Sequence, residues 1–379
     1  MAWLTVLQFL LVASILVWLT WNRLSIEALQ PVVGPLARSP RVSVCVPARN
    51  EERDVAACLK SLLGQNYPDF EIIVVDDNST DRTWEIIQRL AGEHPELQAL
   101  RGDPLPETWY GKPFALHQAV QRSRGEILLF TDADVKFQPH ALTSAVYALE
   151  TRKLDLLSLM PAAEFGSFWE RAVQPVIFGF IAARIPFHKI NSPDFPGEAM
   201  GFGAFIMIRR ETYQRLGGHE SLRQAILDDV GLARQAKALG ARCWVANAKP
   251  LLSIRMYHSL GEIWRGWRKN MFLAFEKSVT ATCLNAALLI GFFFTPYLLT
   301  LYHYLVASPL WLQLVSSAGL VMVWMVGSGL CHDLRLPWRT QFLFPLGAWV
   351  AAAVMVNSML FILGSGKSEW RGRTYARPA

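Results

Sequence analysis

Residues 2–20, AWLTVLQFLLVASILVWLT, form an uncharged apolar run about long enough to cross the hydrocarbon core of a bilayer. Whatever follows must therefore fold beside a membrane. A cleaved signal peptide would show a basic leader and a small-residue cleavage site, and neither is evident, so residues 1–22 read as an uncleaved anchor. No Lys or Arg precedes the run, while Arg23, Arg38 and Arg41 follow it. That asymmetry predicts an outer N-terminus and a cytoplasmic chain from residue 22 onward.

Three more apolar segments come late, at about 280–306, 309–331 and 341–364, giving expected membrane helices over 279–365. Arg265, Arg268, Lys269 and Lys277 before them, and two arginines in CHDLRLPWRT between the last two, mark cytoplasmic flanks. One conflict results. Three crossings leave the tail 366–379 outside, yet it carries Lys367, Arg371, Arg373 and Arg377. Either the tail breaks the charge rule or one segment does not cross; in the second case 280–306, with Pro296 inside it and Tyr297, Tyr302 and His303 in its second half, is the segment expected to form a hairpin or lie at the interface. Residues 168–185 are apolar but interrupted by Glu170, Arg171, Gln174 and Arg184, with Pro175 expected to break the pattern. They predict an interfacial amphipathic helix rather than a span.

The balance of 52% hydrophobic and 18% charged residues fits a soluble domain joined to membrane segments, and neither class alone. The net charge of +6 comes with no nucleic-acid motif and suits positive charge at a membrane surface. Cysteines 45, 58, 243, 283 and 331 show no CxxC or metal spacing and read as free thiols in a reducing compartment.

Between about 40 and 160 the pattern alternates. A β-rich run from Arg41 ends at Pro47, and a helix follows with Asn50 as its expected N-cap. Phe70 opens a second strand, and Ser79 or Thr80 stands near the cap of a second helix. A third strand is expected at Leu97, a helix from Lys112 to Gly125, and a strand from Glu126. The strands are nearly continuous in apolar residues, which predicts a mostly parallel sheet covered on both faces. Ligands of such sheets bind beyond the carboxyl ends of the strands. There the chain places Pro47-Ala-Arg49-Asn50-Glu51-Glu52, then Asp76-Asp77-Asn-Ser-Thr-Asp81, then Asp132-Ala-Asp134. Carboxylates gathered at one sheet edge repel each other unless a cation joins them. A divalent Mg²⁺ or Mn²⁺ bridging to a diphosphate supplies such a cation.

VSVCVPARNEE (42–52), EIIVVDDNSTD (71–81), GEILLFTDADV (125–135) and LDDVGLARQAKALGARCWV (227–245) together resemble family-2 glycosyltransferases of the GT-A fold, over roughly 40–270. The resemblance implies a Rossmann-like α/β domain and inverting sugar transfer from a nucleoside-diphosphate sugar (UDP- or GDP-linked); the arginines after the anchor put that domain on the cytoplasmic side of the inner or plasma membrane. The resemblance also implies that Pro47, Arg49, Asn50, Glu51 and Asp77, with Asp76 beside them, line the nucleotide pocket. Asp134, with Asp132, corresponds to the metal–diphosphate acids. Asp228 and Asp229 match the family's acidic pair, the second being the usual base. The chemistry agrees, because inversion needs a carboxylate to take the acceptor hydroxyl's proton while a metal neutralises the leaving diphosphate. Lys112, after a glycine at the start of a helix, is a candidate diphosphate contact. Segment 197–218, GEAMGFGAFIMIRRETYQRLGG, resembles the family's glycine-rich strand near the acceptor, although its glycines suit close strand packing equally well. His219 and His258 are single histidines and read as structural.

Processive synthases of the family carry QxxRW. Here the stretch is Glu262-Ile-Trp264-Arg265-Gly266-Trp267, without Gln and Trp in their places, leaving Arg265 and Trp267 as acceptor-side candidates. The loss argues for single-sugar transfer. The membrane segments suit an acceptor drawn from the bilayer, and the tail from Trp370 to Tyr375 looks similar to tails of carotenoid- and hopanoid-associated relatives. The expected function is transfer of one sugar to a membrane lipid or isoprenoid. The competing readings are a processive polysaccharide synthase and a non-catalytic binder of nucleotide-sugar or lipid carrier. A nucleotidyltransferase would be expected to show a glycine-rich, basic first loop, which PARNEE lacks.

Overall fold

The computed structural model describes residues 1–365, 367–370 and 373–376. It divides into a sheet unit, Ile26–Glu164 with Pro186–Met256, and a helical unit, Met1–Ser25 with Phe165–Ile185 and Tyr257–Ala379. Phe165–Ile185 and residues 257–270, inside the 40–270 span expected of one soluble domain, thus fall in the helical unit.

The sheet unit is built on seven strands: β1 (Val42–Ala48), β2 (Phe70–Asp76), β3 (Leu97–Arg101), β4 (Ile127–Phe130), β6 (Leu156–Met160), β8 (Ile206–Arg209) and β9 (Cys243–Asn247). Their order is β3-β2-β1-β4-β8-β6-β9, parallel throughout except for β8, which is antiparallel to β4 and β6. A small second sheet joins β5 (Val135–Phe137), β10 (Leu252–Ile254) and β7 (Ala162–Ala163).

Helices cover both faces. Val42, Val44 and Val46 pack with α2 (Val55–Leu63), α3 (Thr83–Glu93) and α5 (Ala141–Thr151). Cys45, Ile73, Val75 and Leu128 pack on the other face with α4 (Gly111–Arg122), α8 (Arg210–Arg215) and α9 (Asp228–Ala238). Strands buried on both sides cannot alternate apolar and polar residues, which accounts for their unbroken apolar runs. Register then decides what meets at the site. Ala48 pairs with Asp76, and Phe130 with Ile206, so the ends of β1, β2 and β4 and the start of β8 share one edge.

Two caps differ from expectation. Asn50 is not an N-cap, because α2 begins at Val55 after Asp54 and Asn50 has a left-handed φ of 53° in the preceding turn. Neither Ser79 nor Thr80 caps α3. Asp81 Oδ1 accepts the Thr83 N–H at 2.9 Å and takes that place. Asx side chains serve turns as readily as caps, so spacing alone cannot choose between them.

In the helical unit, α1 (Ala2–Leu24), α12 (Val279–Leu305), α13 (Leu310–Asp333) and α14 (Phe344–Ser365) are continuous helices. Among the described residues, four helical segments are long and apolar enough to cross a membrane: Ala2–Leu24, Val279–Leu305, Leu310–Asp333 and Trp338–Gly364. The hairpin alternative for 280–306 is overturned, since Pro296 sits within one unbroken helix. The break expected at Pro175 is also absent. α6 (Phe168–Arg184) runs through it from a capping box, with Glu170 Oε1 accepting the Ser167 N–H at 2.8 Å. Ala172, Val173, Val176 and Ile177 are buried in this unit's core. The shorter helices α10 (Leu260–Arg268) and α11 (Met271–Ala274) belong here, whereas α7 (Phe187–Ile190) belongs to the sheet unit. β11 (Lys367–Trp370) and β12 (Arg373–Ala376) pair antiparallel, and the rest of the expected basic tail, residues 366, 371–372 and 377–379, lies outside the described residues.

Gly125 sets how β4 enters beside β1. Its N–H donates to Ser43 Oγ at 2.7 Å, and a Cβ there would stand 2.6 Å from Ser43 N and 2.7 Å from the Arg41 carbonyl. Gly125→Val is expected to cost about 1–3 kcal/mol by overpacking. The check is a lowered thermal midpoint of the detergent-solubilised protein beside wild type.

Candidate active site

The loops after β1 and β2 are bonded into one wall. Arg49 is buried, and its Nη1 donates to the carbonyls of Asp77 and, at 3.0 Å, Asn78. The Asn50 N–H donates to Ser79 Oγ at 3.0 Å, and the Thr80 N–H to Asn50 Oδ1 at 2.9 Å. The Glu51 N–H reaches Thr83 Oγ1 at 2.8 Å. Pro47 lies opposite Val75 near the end of β1, and Asp77 is buried with its N–H on the Ala48 carbonyl at 2.8 Å. Asp76 is fully buried, and its Oδ2 pairs with Arg101 at 3.2 Å and accepts the Ser79 N–H at 3.3 Å. The structure therefore brings Pro47, Arg49, Asn50, Glu51, Asp76 and Asp77 together, with Arg49 and Asp76 engaged in holding the loops.

Beyond β4 the chain turns through Thr131–Asp134. Thr131 Oγ1 donates to the Ala204 carbonyl at 2.8 Å, fastening this turn to the segment entering β8. Lys112, at the start of α4, places Nζ 2.7 Å from Asp132 Oδ1 and 3.9 Å from Asp228 Oδ1. Asp229, one residue into α9, accepts the Gly203 N–H on Oδ2 at 2.9 Å and the Val230 N–H on Oδ1 at 2.8 Å. Gly203 is where these groups converge, since a Cβ there would meet Lys112 Nζ at 3.0 Å and Asp132 Oδ2 and Asp229 Oδ2 at 3.2 Å each. In the sequence, the glycine-rich segment 197–218 is the only signal for Gly203.

The electrostatics follow from one lysine among three acids in a poorly hydrated edge. Burial works against the Lys112 charge, but Asp132, Asp228 and Asp229 outweigh it and raise its pKa above the ordinary lysine range. Burial also raises Asp228, to about 6, with Lys112 opposing and Asp229 and Asp132 adding to the shift. Asp229 is raised too, by burial first, against Lys112 and its two backbone N–H donors. The N-terminus of α9 favours negative charge at both positions.

Cys58, a residue the sequence offered no reason to single out, lies under this turn with Sγ 3.6 Å from the Asp132 carbonyl. Its thiol is pushed up by burial and then by the charges of Asp134, Asp132 and Glu51.

A divalent ion was expected at Asp132 and Asp134. Among the described residues no group of three or more His, Cys, Asp or Glu side chains is arranged to hold a metal. The donor set nevertheless fits the expected ion. Asp132 is about a third exposed (33%), its carboxylate is a hard oxygen donor in the same turn as that of Asp134, and Mg²⁺ or Mn²⁺ ordinarily completes its shell with phosphate and water.

Arg265 and Trp267 are placed on α10, in the helical unit. Trp267 is buried in that unit's core, edge-on to Phe178 at 6.1 Å and to Tyr257 at 6.3 Å. The cluster around Gly203 is built without them.

Residues 43–217 match the profile of Glycosyl transferase family 2. The chain is 26% identical over 233 residues to the 4,4'-diaponeurosporenoate glycosyltransferase of Staphylococcus haemolyticus, covering 61% of this chain and 60% of that protein. The enzyme of the same name from Staphylococcus aureus is 26% identical over 234 residues, with the same coverage. The chain thus spans about 60% of the length of these curated relatives. Among solved structures it is similar to the mannosyltransferase PcManGT from Pyrobaculum calidifontis in complex with GDP-Man and Mn²⁺, at 18% identity and a TM-score of 0.52, covering 96% of this chain and 99% of that one. Residues 43–217 are thus similar to family-2 glycosyltransferases, and the mixed, mostly parallel sheet has the GT-A fold.

His219 lines the same cavity as Lys112, Asp228 and Asp229. It is buried, with Nδ1 2.8 Å from Tyr213 Oη and its ring edge-on to Phe130 at 4.7 Å. Burial, then the charges of Lys112 and His117, lower its pKa to about 3 from 6.5. Between those values the unfolded chain binds a proton that the folded chain refuses, so stability falls as pH drops from about 6.5 toward 3. His219→Gln should flatten that slope, as read from thermal midpoints between pH 7 and pH 4.

Proposed function

We propose that this protein transfers a single sugar, with inversion, from a UDP- or GDP-sugar to a lipid or isoprenoid acceptor in the membrane, using a divalent cation. The observation that carries this reading is the convergence of Lys112, Asp132, Asp228 and Asp229 on Gly203, at the strand-end edge of a family-2 domain.

In this reading the wall made by Pro47–Glu51, Asp76 and Asp77 receives the nucleoside. Asp132 and Asp134 hold the Mn²⁺ or Mg²⁺, which when bound offsets the charge of the departing diphosphate. Lys112 adds a second positive charge toward that diphosphate, and its release from Asp132 is the rearrangement that donor binding requires. Asp229 is the base. Two backbone N–H groups fix its carboxylate in orientation, and burial raises its proton affinity toward what a general base needs. Asp228 shapes the field on the acceptor side. Arg265 and Trp267 remain acceptor-side candidates through the loss of the processive motif alone.

An apolar acceptor is supported by the four membrane-length helices and by relatives named for a diaponeurosporenoate. The catalytic domain, about 40–270, belongs on the cytoplasmic side, as the arginines following α1 suggest.

Asp229→Asn should lower turnover by about 10²–10⁴-fold while leaving nucleotide-sugar binding intact. Nucleoside diphosphate release and equilibrium binding, measured on lipid-reconstituted protein with a lipid extract, test this together, and a variant that still turns over removes the base assignment. Asp134→Ala should abolish the Mn²⁺ dependence of nucleoside diphosphate binding in calorimetry. Equal affinity with and without Mn²⁺ in wild type would refute the metal role.

A further inference from the structure

The helical unit has a register that can be read from its side chains. α12 and α13 run antiparallel, with Trp324 Nε1 donating to Tyr297 Oη at 2.8 Å and Tyr304 Oη 3.4 Å from Ser317 Oγ. α1 runs beside both. Thr5 Oγ1 lies 2.7 Å from His303 Nε2 near one end, and Arg23 pairs with Asp333 at 2.9 Å near the other. From Thr5 to Arg23 is about 27 Å at 1.5 Å per residue, close to the thickness of a bilayer core.

One end of this three-helix span is marked by charge. Exposed His332 stands beside the Arg23–Asp333 pair. The α12–α13 register places Asp333 beside Leu288, one turn from Asn285, and Asn285 Oδ1 accepts from exposed Arg184 at 3.2 Å. Charged side chains at one level around the bundle mark a bilayer edge.

α14 does not share this span. After Asp333 the chain turns back, and Ser328 of α13 donates to Gln341 at 3.3 Å. α14 then starts against the middle of α12, with the Phe344 ring 6.4 Å from Phe293 and Trp349 5.8 Å from Phe294. It runs toward the N-terminus of α12, past the level of the charged belt. Its last turns lie beside residues that precede α12. Trp264 Nε1 donates to Asn357 Oδ1 at 3.0 Å, the Phe272 N–H to Ser358 Oγ at 3.0 Å, and the Arg268 guanidinium stands 4.1 Å from the Phe361 ring centre. α14 is therefore antiparallel to α12 and runs in the same direction as α13. A helix that crossed back after α13 would run the opposite way. Pro296 falls at the junction between the part of α12 that packs on α14 and the part that packs on α13, and it deprives the Phe292 carbonyl of its helical donor, a usual cause of a bend.

The outer face of α14 matches this placement. Leu346, Trp349, Leu360 and Leu363 are 41–59% exposed and fall on one helical stripe with Ala353, and no charged residue occurs from 344 to 365. So large an apolar face needs a cover. For Leu346 and Trp349, on the bilayer side of the charged belt, that cover is the lipid of the adjoining leaflet.

We infer that α14 starts within one leaflet and leaves the bilayer on the same side, with Leu346 and Trp349 set against lipid and its turns past Ala353 beyond the charged belt, so that α1, α12 and α13 cross and α14 does not. The chain beyond α14 then stays on the side of the Arg23–Asp333 belt. The conflict between three late crossings and the basic residues Lys367, Arg371, Arg373 and Arg377 disappears, because only two of the late segments cross. This inference is independent of the catalytic reading.

The test labels full-length protein in sealed membrane vesicles with a membrane-impermeant maleimide, before and after permeabilisation. Exposed Cys283 is first replaced by Ser. One version then carries Val306→Cys, in the α12–α13 turn, and another a single cysteine appended after Ala379. The two are expected to label from opposite sides, and labelling from the same side overturns the inference. A second variant, Ala353→Lys, guards against a tail effect. At the centre of a spanning helix a lysine costs about 2.5–3.5 kcal/mol of insertion, whereas at a leaflet surface it reaches water along its own stem. Accumulation of folded Ala353→Lys near the wild-type level is expected, and its loss from the membrane overturns the inference.

Discussion

The ammonium of Lys112 between Asp132 and Asp228 is the interaction on which the site depends. Without it, three acids from two separate stretches of chain would face one another where water is scarce, and at least one would have to take up a proton. The raised affinities of Asp228 and Asp229 show how near the cluster stands to that limit. Because Lys112 opens α4, Asp132 follows β4 and Asp228 opens α9, the charge balance also fixes two helix ends against one strand end. Anything that takes Lys112 from Asp132 must bring positive charge in exchange, which is what a cation-bound diphosphate would do.

Around this cluster the backbone has little freedom. The loops after β1 and β2 are bonded to each other through Arg49, Asn50 and Glu51, and the segment entering β8 is tied to β4 through Thr131 and to α9 through Gly203. Such cross-bonding holds reactive groups in place before a substrate arrives, and that preorganisation is where most electrostatic catalysis originates. The antiparallel insertion of β8 is the topological step that makes it possible, since a strand running the other way would carry Gly203 to the opposite edge of the sheet.

The helical unit obeys a different constraint. Four of its helical segments are long and apolar enough to cross a membrane, and close packing and buried polar pairs join its helices. Asn22, buried, donates to the carbonyls of Ala182 and Ile185 at 2.9 and 2.8 Å, and Thr5 pairs with His303. A Cβ on Gly347 would collide with the Ala172 carbonyl at 1.8 Å, so α14 and α6 touch backbone to backbone. α1 is thus a structural member of this unit as well as an apolar segment.

Much was legible in the sequence because its causes are local. Unbroken apolar strands require a sheet covered on both faces, the acids after each strand end mark the ligand edge, and an uncharged run such as residues 2–20 forms an apolar helix wherever it is placed. The family resemblance rested on the same short motifs, and the GT-A fold agrees with it. Caps were read less well: Asn50 and Ser79 carry the right side chains, but they bond across two loops, and only the assembled loops decide between turn and cap. Pro175 and Pro296 read as breaks because the sequence shows the missing N–H and not the packing that carries a helix through it. Gly203, Cys58 and His219 gained their meaning only from the tertiary structure, since neither residue type nor spacing announces that a backbone N–H, a thiol or a ring from a distant segment will meet the acids. The course of α14 was beyond the sequence for the same reason. Hydropathy reports how apolar a helix is, while its direction relative to α12 and α13 is set by Phe344 on Phe293 and Asn357 on Trp264, contacts that exist only once the chain has folded.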